Sequence, residues 1–333
     1  MVKFNDQQKF AGCAADIYGV ETVLILVLAK LDPSHLWYGT YSLVSPLWCR
    51  LFHTYCKKKV RFGRFYGYDQ EIIKPVKLPC QYKICVAVGP DGTLYSGSHD
   101  NTIFVWSPEG EHLHTLEGHS NWVTCLVVDS DGTLYSGSHD KTIRVWSPEG
   151  EHLRTLEGHT DWVNCLVVGP DGNTLYSGAC DGMIRVWSPE GEHLRTLEGH
   201  TVRCLAVSQD GTLYSGSHKT IQVWSPKGEH LRTFELEDTG TVTCLVVGPD
   251  NTLYSTSYDK TIRVWSPEGE CLRTLEGHGT WVDRIAVGLD GTLYSGSHDK
   301  TIRLWLPEGE NIHTLKGHTD WVDCIALGPD GTF

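Results

Sequence analysis

The chain has 333 residues, 40% of them hydrophobic, so it is long enough to bury a sizeable core. Its formal net charge at pH 7 is −13, which argues against a broad surface for binding nucleic acid. The apolar run over residues 23–29 is too short to span a bilayer, and no secretory signal peptide is visible. We therefore expect neither a nucleic-acid partner nor a membrane partner.

Residues 1–15 form a polar N-terminal tail, and helical periodicity begins after it. Between residues 16 and 56, apolar side chains recur at spacings of three and four, which predicts three short helices. Pro33 ends the first helix, and Ser45 before Pro46 is typical of the start of the third. So small a unit barely folds alone, and a partner would complete its core.

Residues 31–52 of this segment read LDPSHLWYGTYSLVSPLWCRLF. They resemble an F-box, whose pattern is Leu-Asp-Pro-X-X-Leu followed by Leu-Val-Ser-X-X-Trp-X-X-Leu. The resemblance implies docking on a Skp-type adaptor and, through it, on a cullin and a RING protein. The implied adaptor-binding residues are Leu31, Pro33, Leu36, Leu43, Val44, Trp48 and Leu51. The alternative is a helical cap that is unrelated to the F-box.

Residues 57–79 form a basic linker, because this stretch contains seven basic side chains and only two acidic ones. Residues 80–333 carry the excess of acidic side chains that makes the chain negative. They also repeat one sequence pattern. The Trp of a Val-Trp or Leu-Trp pair recurs at intervals of 37 to 41 residues. Its positions are Trp106, Trp146, Trp187, Trp224, Trp265 and Trp305.

Each copy of the repeat divides into four extended runs separated by turn signals. In the second copy the runs cover residues 122–128, 133–138, 142–146 and 152–156. They are rich in Val, Ile, Thr, Tyr and Trp, which favours β-strands. One small sheet cannot bury both of its faces, whereas a ring of sheets can, so the pattern predicts a β-propeller.

Gly-His before a copy and Val-Trp-Ser inside it resemble the signature of WD-repeat propellers. The predicted fold is mostly β, with a three-helix F-box-like segment before six full four-stranded blades and a partial seventh. The seventh copy starts at Thr319, and the sequence ends inside its first hairpin. Either the linker over residues 57–79 supplies strands that close the ring, or the chain is truncated.

The 12 cysteines do not predict a disulfide framework. Six of them recur at the same place in successive copies, where small buried apolar side chains are expected. They are Cys85, Cys125, Cys165, Cys204, Cys244 and Cys324. Unpaired thiols favour a reducing compartment, so we expect a cytoplasmic or nuclear location.

Recurring His, Ser, Asp and Trp residues could suggest catalysis. The WD-repeat resemblance implies instead a buried hydrogen-bond network that holds a turn, and a catalytic triad would not be copied around a ring. We expect complete networks at His119, His159 and His278, in the second, third and sixth copies. No phosphate loop, nucleophile elbow or metal-ligand pattern is present, so we expect no enzyme activity, cofactor or metal.

The predicted binding surface is the top face, which the loops after the second and fourth strands form. Aromatic side chains recur there, and aromatics are typical anchors for protein partners. The candidate target-binding residues are His99, Trp122, His139, Trp162, Cys180, His218, Tyr258, Trp281, His298 and Trp321. The WD-repeat resemblance implies arginine at such positions in receptors of phosphorylated peptides. None of these positions is arginine here, which argues against that kind of recognition. The histidines of neighbouring blades are expected to lie too far apart to share a metal.

Together these patterns predict the substrate-recognition subunit of a cullin–RING ubiquitin ligase. The F-box would bind the adaptor, and the propeller would hold an unidentified target protein. The alternative is a WD-repeat interaction scaffold with no role in ubiquitin transfer.

Overall fold

A computed structural model describes residues 85–108, 110–236 and 240–328. These residues contain 24 β-strands in six antiparallel sheets, each with its strands in sequence order. The first blade comprises β1 (Cys85–Val88), β2 (Leu94–Gly97), β3 (Ile103–Trp106) and β4 (His112–Leu116). The second comprises β5 (Val123–Val128), β6 (Leu134–Ser138), β7 (Ile143–Trp146) and β8 (His152–Leu156). The third comprises β9 (Val163–Val168), β10 (Leu175–Ala179), β11 (Met183–Trp187) and β12 (His193–Glu198).

The fourth blade comprises β13 (Cys204–Val207), β14 (Leu213–Gly216), β15 (Thr220–Trp224) and β16 (His230–Glu235). The fifth comprises β17 (Val242–Val247), β18 (Leu253–Ser257), β19 (Ile262–Trp265) and β20 (Cys271–Leu275). The sixth comprises β21 (Val282–Val287), β22 (Leu293–Ser297), β23 (Thr301–Trp305) and β24 (Asn311–Lys316). The prediction of six four-stranded blades is confirmed, and the strands predicted in the second copy agree to within one residue at each end.

The turns between the strands require backbone conformations that the sequence supplies. Gly132 has φ 89° in the turn after β5, and Gly150 has φ 89° in the turn after β7. Lys141 adopts φ 71° after β6, where the third blade has Gly182. Left-handed backbone is easy for glycine and costly for lysine, so the turn after β6 is held by other contacts.

The hydrophobic core lies between neighbouring blades rather than inside one sheet. Tyr135 and Ile143 of the second blade pack with Val163, Leu175 and Trp187 of the third. Equivalent clusters fill the other boundaries between adjacent blades. Each blade therefore buries its faces only because the next blade is present.

The recurring cysteines each pack in a different boundary cluster. Four of them are buried, as the sequence predicts, and Cys165 and Cys244 are half-buried. Cys125, for example, packs between the second and third blades and has a free thiol. Burial raises the pKa of Cys125 to about 12. Such a thiol remains protonated and inert at neutral pH.

Residues 319–328 lie between the sixth blade and the first. The amide of Val322 donates to the carbonyl oxygen of Ser297 at 3.1 Å, as the amide of Val242 in the fifth blade does to Ser217 of the fourth. Cys324 packs with Val86, Leu94 and Trp106 of the first blade. This segment therefore closes the ring of described blades, although it contains no assigned strand.

The remaining predictions of the fold lie outside the described residues. They are the tail over residues 1–15, the helices over 16–56, the linker over 57–79 and the end of the partial seventh copy, over 329–333. In the part of the chain that the structure describes, no helix has the length and apolar character needed to cross a membrane.

Candidate functional site

A chain of hydrogen bonds fastens the top loops of the second blade. Trp146 Nε1 donates to Ser136 Oγ at 2.9 Å, and Ser136 Oγ lies 2.8 Å from His119 Nε2. His119 Nδ1 lies 2.8 Å from Asp140 Oδ2. Because the indole can only donate, the Ser136 hydroxyl accepts from Trp146 and donates its own hydrogen bond to Nε2 of His119. Nδ1 of His119 then carries the ring proton and donates to Asp140.

The carboxylate of Asp140 also anchors its own turn. It accepts from the amide of Ser120 at 3.0 Å and from the hydroxyl of Thr142 at 2.6 Å. Burial raises the pKa of Asp140, but hydrogen bonds from His119 and Thr142 outweigh burial and hold that pKa well below its usual range. Asp140 is therefore an ionised structural anchor at neutral pH.

The same network recurs where the sequence predicts it. His159 bridges Ser177 and Asp181, and His278 bridges Ser295 and Asp299, with distances of 2.8 to 2.9 Å. In the fourth blade, which lacks the Asp, His200 Nδ1 contacts the Thr220 hydroxyl at 2.9 Å instead. The complete networks of the second, third and sixth copies are confirmed.

Four aromatic rings of the first three blades form a stacked ladder on the top face. His99 stacks on Trp122 with ring centroids 4.0 Å apart, and His139 stacks on Trp162 at 4.2 Å. Trp122 and His139 are 5.2 Å apart, which joins the two pairs. Each histidine therefore stacks on the tryptophan of the following blade. We call these four residues the first ladder.

A second ladder lies on the fifth and sixth blades and the closing segment. Tyr258 contacts Trp281 with ring centroids 4.5 Å apart, and Trp281 lies 5.3 Å from His298. His298 stacks on Trp321 at 4.2 Å, with the two planes 3° from parallel. The four tryptophans of the two ladders remain 42% to 51% exposed. Such exposure leaves part of each indole surface open to a partner.

The other two candidate residues lie outside the ladders. Asn164 Nδ2 donates to Cys180 Sγ at 3.1 Å, and His218 Nδ1 lies 3.1 Å from the Thr241 hydroxyl. The fourth copy has no tryptophan at the start of its first strand, and the fifth has Thr241 there, so no ring is available to stack on.

Arg203 is a top-face residue that the sequence analysis missed. Its Nη1 donates to the hydroxyl of Tyr258 at 3.5 Å, and the side chain is exposed. The signal was present, because the fourth copy replaces the usual first-strand sequence with Thr201-Val202-Arg203. One guanidinium therefore stands beside the second ladder.

Beneath the ladders, the first strands of the blades carry polar side chains at one equivalent position. Thr124, Asn164 and Thr243 each donate a hydrogen bond to a main-chain carbonyl of the next blade, at Val163, Val202 and Val282 respectively. These bonds link successive blades near the top face.

Asp283 and Asp323 occupy this position in the last two copies, and both lie beside His298. Nε2 of His298 is 2.6 Å from Oδ2 of Asp283 and 3.3 Å from Oδ1 of Asp323. One potential ligand atom of each residue lies within 4.8 Å of the other two. Among the described residues, this is the one group of three side chains arranged to hold a metal ion.

Residues 83–333 match the family model described as the IFT122 first β-propeller, which covers about three-quarters of the chain. No curated protein matches the chain in a sequence search. The predicted adaptor-binding residues, between Leu31 and Leu51, lie outside both the matched range and the described residues.

Proposed function

Since the chain belongs to the family of the IFT122 first β-propeller, we propose that it is an interaction scaffold that holds a partner protein on its top face. The observation that carries this proposal is the pair of aromatic ladders. Their tryptophans are exposed, yet three of the four indoles stack on an imidazole. The fourth, Trp281, contacts the rings of Tyr258 and His298. Rigid aromatic side chains lose little entropy on binding, which makes them effective anchors.

The chemistry of the ladders favours a basic, partly apolar segment as the bound element. Residues 80–333 carry 35 acidic and 17 basic side chains, so the propeller attracts positive charge. An exposed indole face binds a Lys or Arg side chain through a cation–π interaction, and its apolar surface also accepts aliphatic groups. Arg203 would pair with an acidic group at the edge of the same segment.

Affinity capture from the protein's own cells tests this proposal. The full wild-type chain is compared with a Trp162→Ala, Trp281→Ala double variant, which removes one exposed indole from each ladder. The matched control is a Leu153→Ala, Leu272→Ala double variant, because these leucines are similarly exposed on outer strands. We expect captured partners to fall about tenfold or more with the ladder variant only. Equal recovery with all three chains would exclude the top face as the binding surface.

A finer candidate function is that of substrate receptor in a cullin–RING ubiquitin ligase. The sequence over residues 31–52 supports it, through its resemblance to an F-box. The chain would bind a Skp-type adaptor there, and its role would be to position the target rather than to catalyse. A Leu36→Ala, Trp48→Ala variant separates this function from a plain scaffold. It should lose the adaptor and the cullin while keeping partners of the top face, and failure of the wild-type chain to recover any adaptor rejects the ligase role.

A further inference from the structure

The polar side chains beneath the ladders are hydrogen-bond donors in most blades but carboxylates in the sixth blade and the closing segment. In the second, third and fifth blades, a donor at this position bonds to a carbonyl of the following blade. Asp283 stands at the corresponding place in the sixth blade. An ionised carboxylate cannot donate, so Asp283 cannot make the link that Thr124, Asn164 and Thr243 make.

Two carboxylates are instead brought together in a largely buried place. Asp283 is 8% exposed, and Oδ1 of Asp323 is buried without a hydrogen-bond partner of suitable geometry. Like charges this close repel each other, and a buried, unpartnered carboxylate oxygen is costly. The Arg284 guanidinium is directed to main-chain carbonyls, at 3.1 Å from that of Asp283 and 3.4 Å from that of Thr243. Apart from the 3.3 Å contact with Nε2 of His298, no described donor reaches this acidic oxygen.

The third member of the group is held in a fixed orientation. The ring of His298 stacks on Trp321 on one side and contacts Trp281 on the other. Its Nε2 faces both carboxylates, at 2.6 and 3.3 Å. Preorganised imidazole nitrogen and carboxylate oxygens together form a ligand set that suits Zn²⁺.

We propose that Asp283, His298 and Asp323 bind one divalent cation of the Zn²⁺ class, which fastens the closing segment to the sixth blade. Ligands of a tetrahedral Zn²⁺ with bonds of about 2.0–2.1 Å lie about 3.3 Å apart. The distance from His298 to Asp323 already has this value, and the contact with Asp283 would open by about 0.7 Å. Water would take the fourth position.

This site was not foreseen from the sequence. In the first ladder, Trp122 contacts the imidazoles of both His99 and His139. The ligands come from one rim histidine and from two first-strand positions below it. Asp283 of the sixth blade and Asp323 of the closing segment both lie beside Nε2 of His298. The pattern within a single copy does not predict this meeting, because the residues come from two copies.

Equilibrium dialysis of the untagged full chain against a fixed free Zn²⁺ concentration, followed by elemental analysis, tests the site. Any zinc that the cysteines hold is common to all these chains, so the measurement is the difference between variants. Wild type should hold one Zn²⁺ more than Asp323→Asn and than His298→Ala. The matched control is His139→Ala, because His139 stacks on Trp162 as His298 stacks on Trp321 but has Thr124 and Asn164 in place of the two aspartates. This control should bind as much zinc as wild type.

Thermal unfolding supplies a second measurement. Binding to the folded chain alone raises the unfolding midpoint, so a chelator should lower the midpoint of wild type and leave that of Asp323→Asn unchanged. The Asn side chain keeps the shape of Asp and removes the repulsion from Asp283, so this variant is expected to fold. Equal zinc content in wild type and Asp323→Asn, with no effect of the chelator, overturns the proposal. Partner capture is not involved, so this result is independent of the scaffold function.

Discussion

Gly137 in the second blade faces Val163 in the third, at a separation that leaves no room for a methyl group. A Cβ atom at Gly137 would lie 2.7 Å from Cγ1 of Val163 and 2.5 Å from Sγ of Cys125. The fifth blade has Thr256 in the equivalent place, and there Sγ of Cys244 is directed to the carbonyl oxygens of Leu245 and Ile285 instead. Close approach of the blades therefore depends jointly on the glycine and on the position of the neighbouring thiol.

Gly137→Ala should lower the free energy of unfolding by about 1–3 kcal/mol, because the added methyl overfills the boundary between two blades. Gly279→Ala is the control, since its Cβ would meet nothing nearer than 3.7 Å. That control should change stability by less than about 0.5 kcal/mol. Chemical denaturation measures both, and equal stability of the two variants would contradict the packing argument.

Ser136→Ala should lower the free energy of unfolding by about 2–4 kcal/mol. The hydroxyl is the acceptor for the Trp146 indole and the partner of His119, so its loss leaves two buried polar atoms unpaired. Ser147→Ala removes a hydroxyl that only accepts from the exposed amide of Glu151, and should cost less than about 1 kcal/mol. Similar costs for the two variants would show that the buried network contributes little.

Stability should fall as the pH drops from about 6.5 towards 4, in part because of His318. Burial lowers the pKa of His318 to about 4, and Nδ1 has no hydrogen-bond partner among the described residues. In this pH range the unfolded chain binds a proton that the folded chain does not, so protonation favours unfolding.

In His318→Gln, the fall in the free energy of unfolding over this pH range should be smaller than in wild type by about 1–3 kcal/mol. The lower end of that range allows for the partial exposure of the ring to solvent. Denaturant unfolding at several pH values measures the difference between the two chains. Burial also lowers the pKa values of His159 and His200. These two residues make stability depend on pH in the same way in wild type and in the variant. Parallel curves for wild type and variant would show that His318 is not involved.

Thiol labelling should separate Cys271 from the cysteines between blades. Cys271 is exposed, whereas burial raises the pKa of Cys125 to about 12 and leaves almost no reactive thiolate at neutral pH. Iodoacetamide should modify Cys271 in the native chain and Cys125 only after denaturant is added. Peptide mapping by mass spectrometry reads both sites, and rapid native labelling of Cys125 would mean that the boundary between the blades opens.

The sequence alone determined the architecture of the described region. Strand positions follow from alternating Val, Ile and Tyr and from turn glycines such as Gly132 and Gly150, all of which are local signals. The His119 and Asp140 network was also predictable, because the second, third and sixth copies present the same residues at nearly the same spacing. Repetition strengthens such predictions, because the same strand and turn signals recur at equivalent positions in several copies.

Only the tertiary structure decided how residues of different copies meet. Stacking of His139 on Trp162, the contact of Arg203 with Tyr258, and the convergence of Asp283, His298 and Asp323 each join side chains from different copies. The spacing within one repeat does not specify them, because these distances depend on the twist of each sheet and on how tightly neighbouring blades pack. The sequence by itself therefore determined the blades, and blade packing determined the surfaces and the candidate metal site that lie between them.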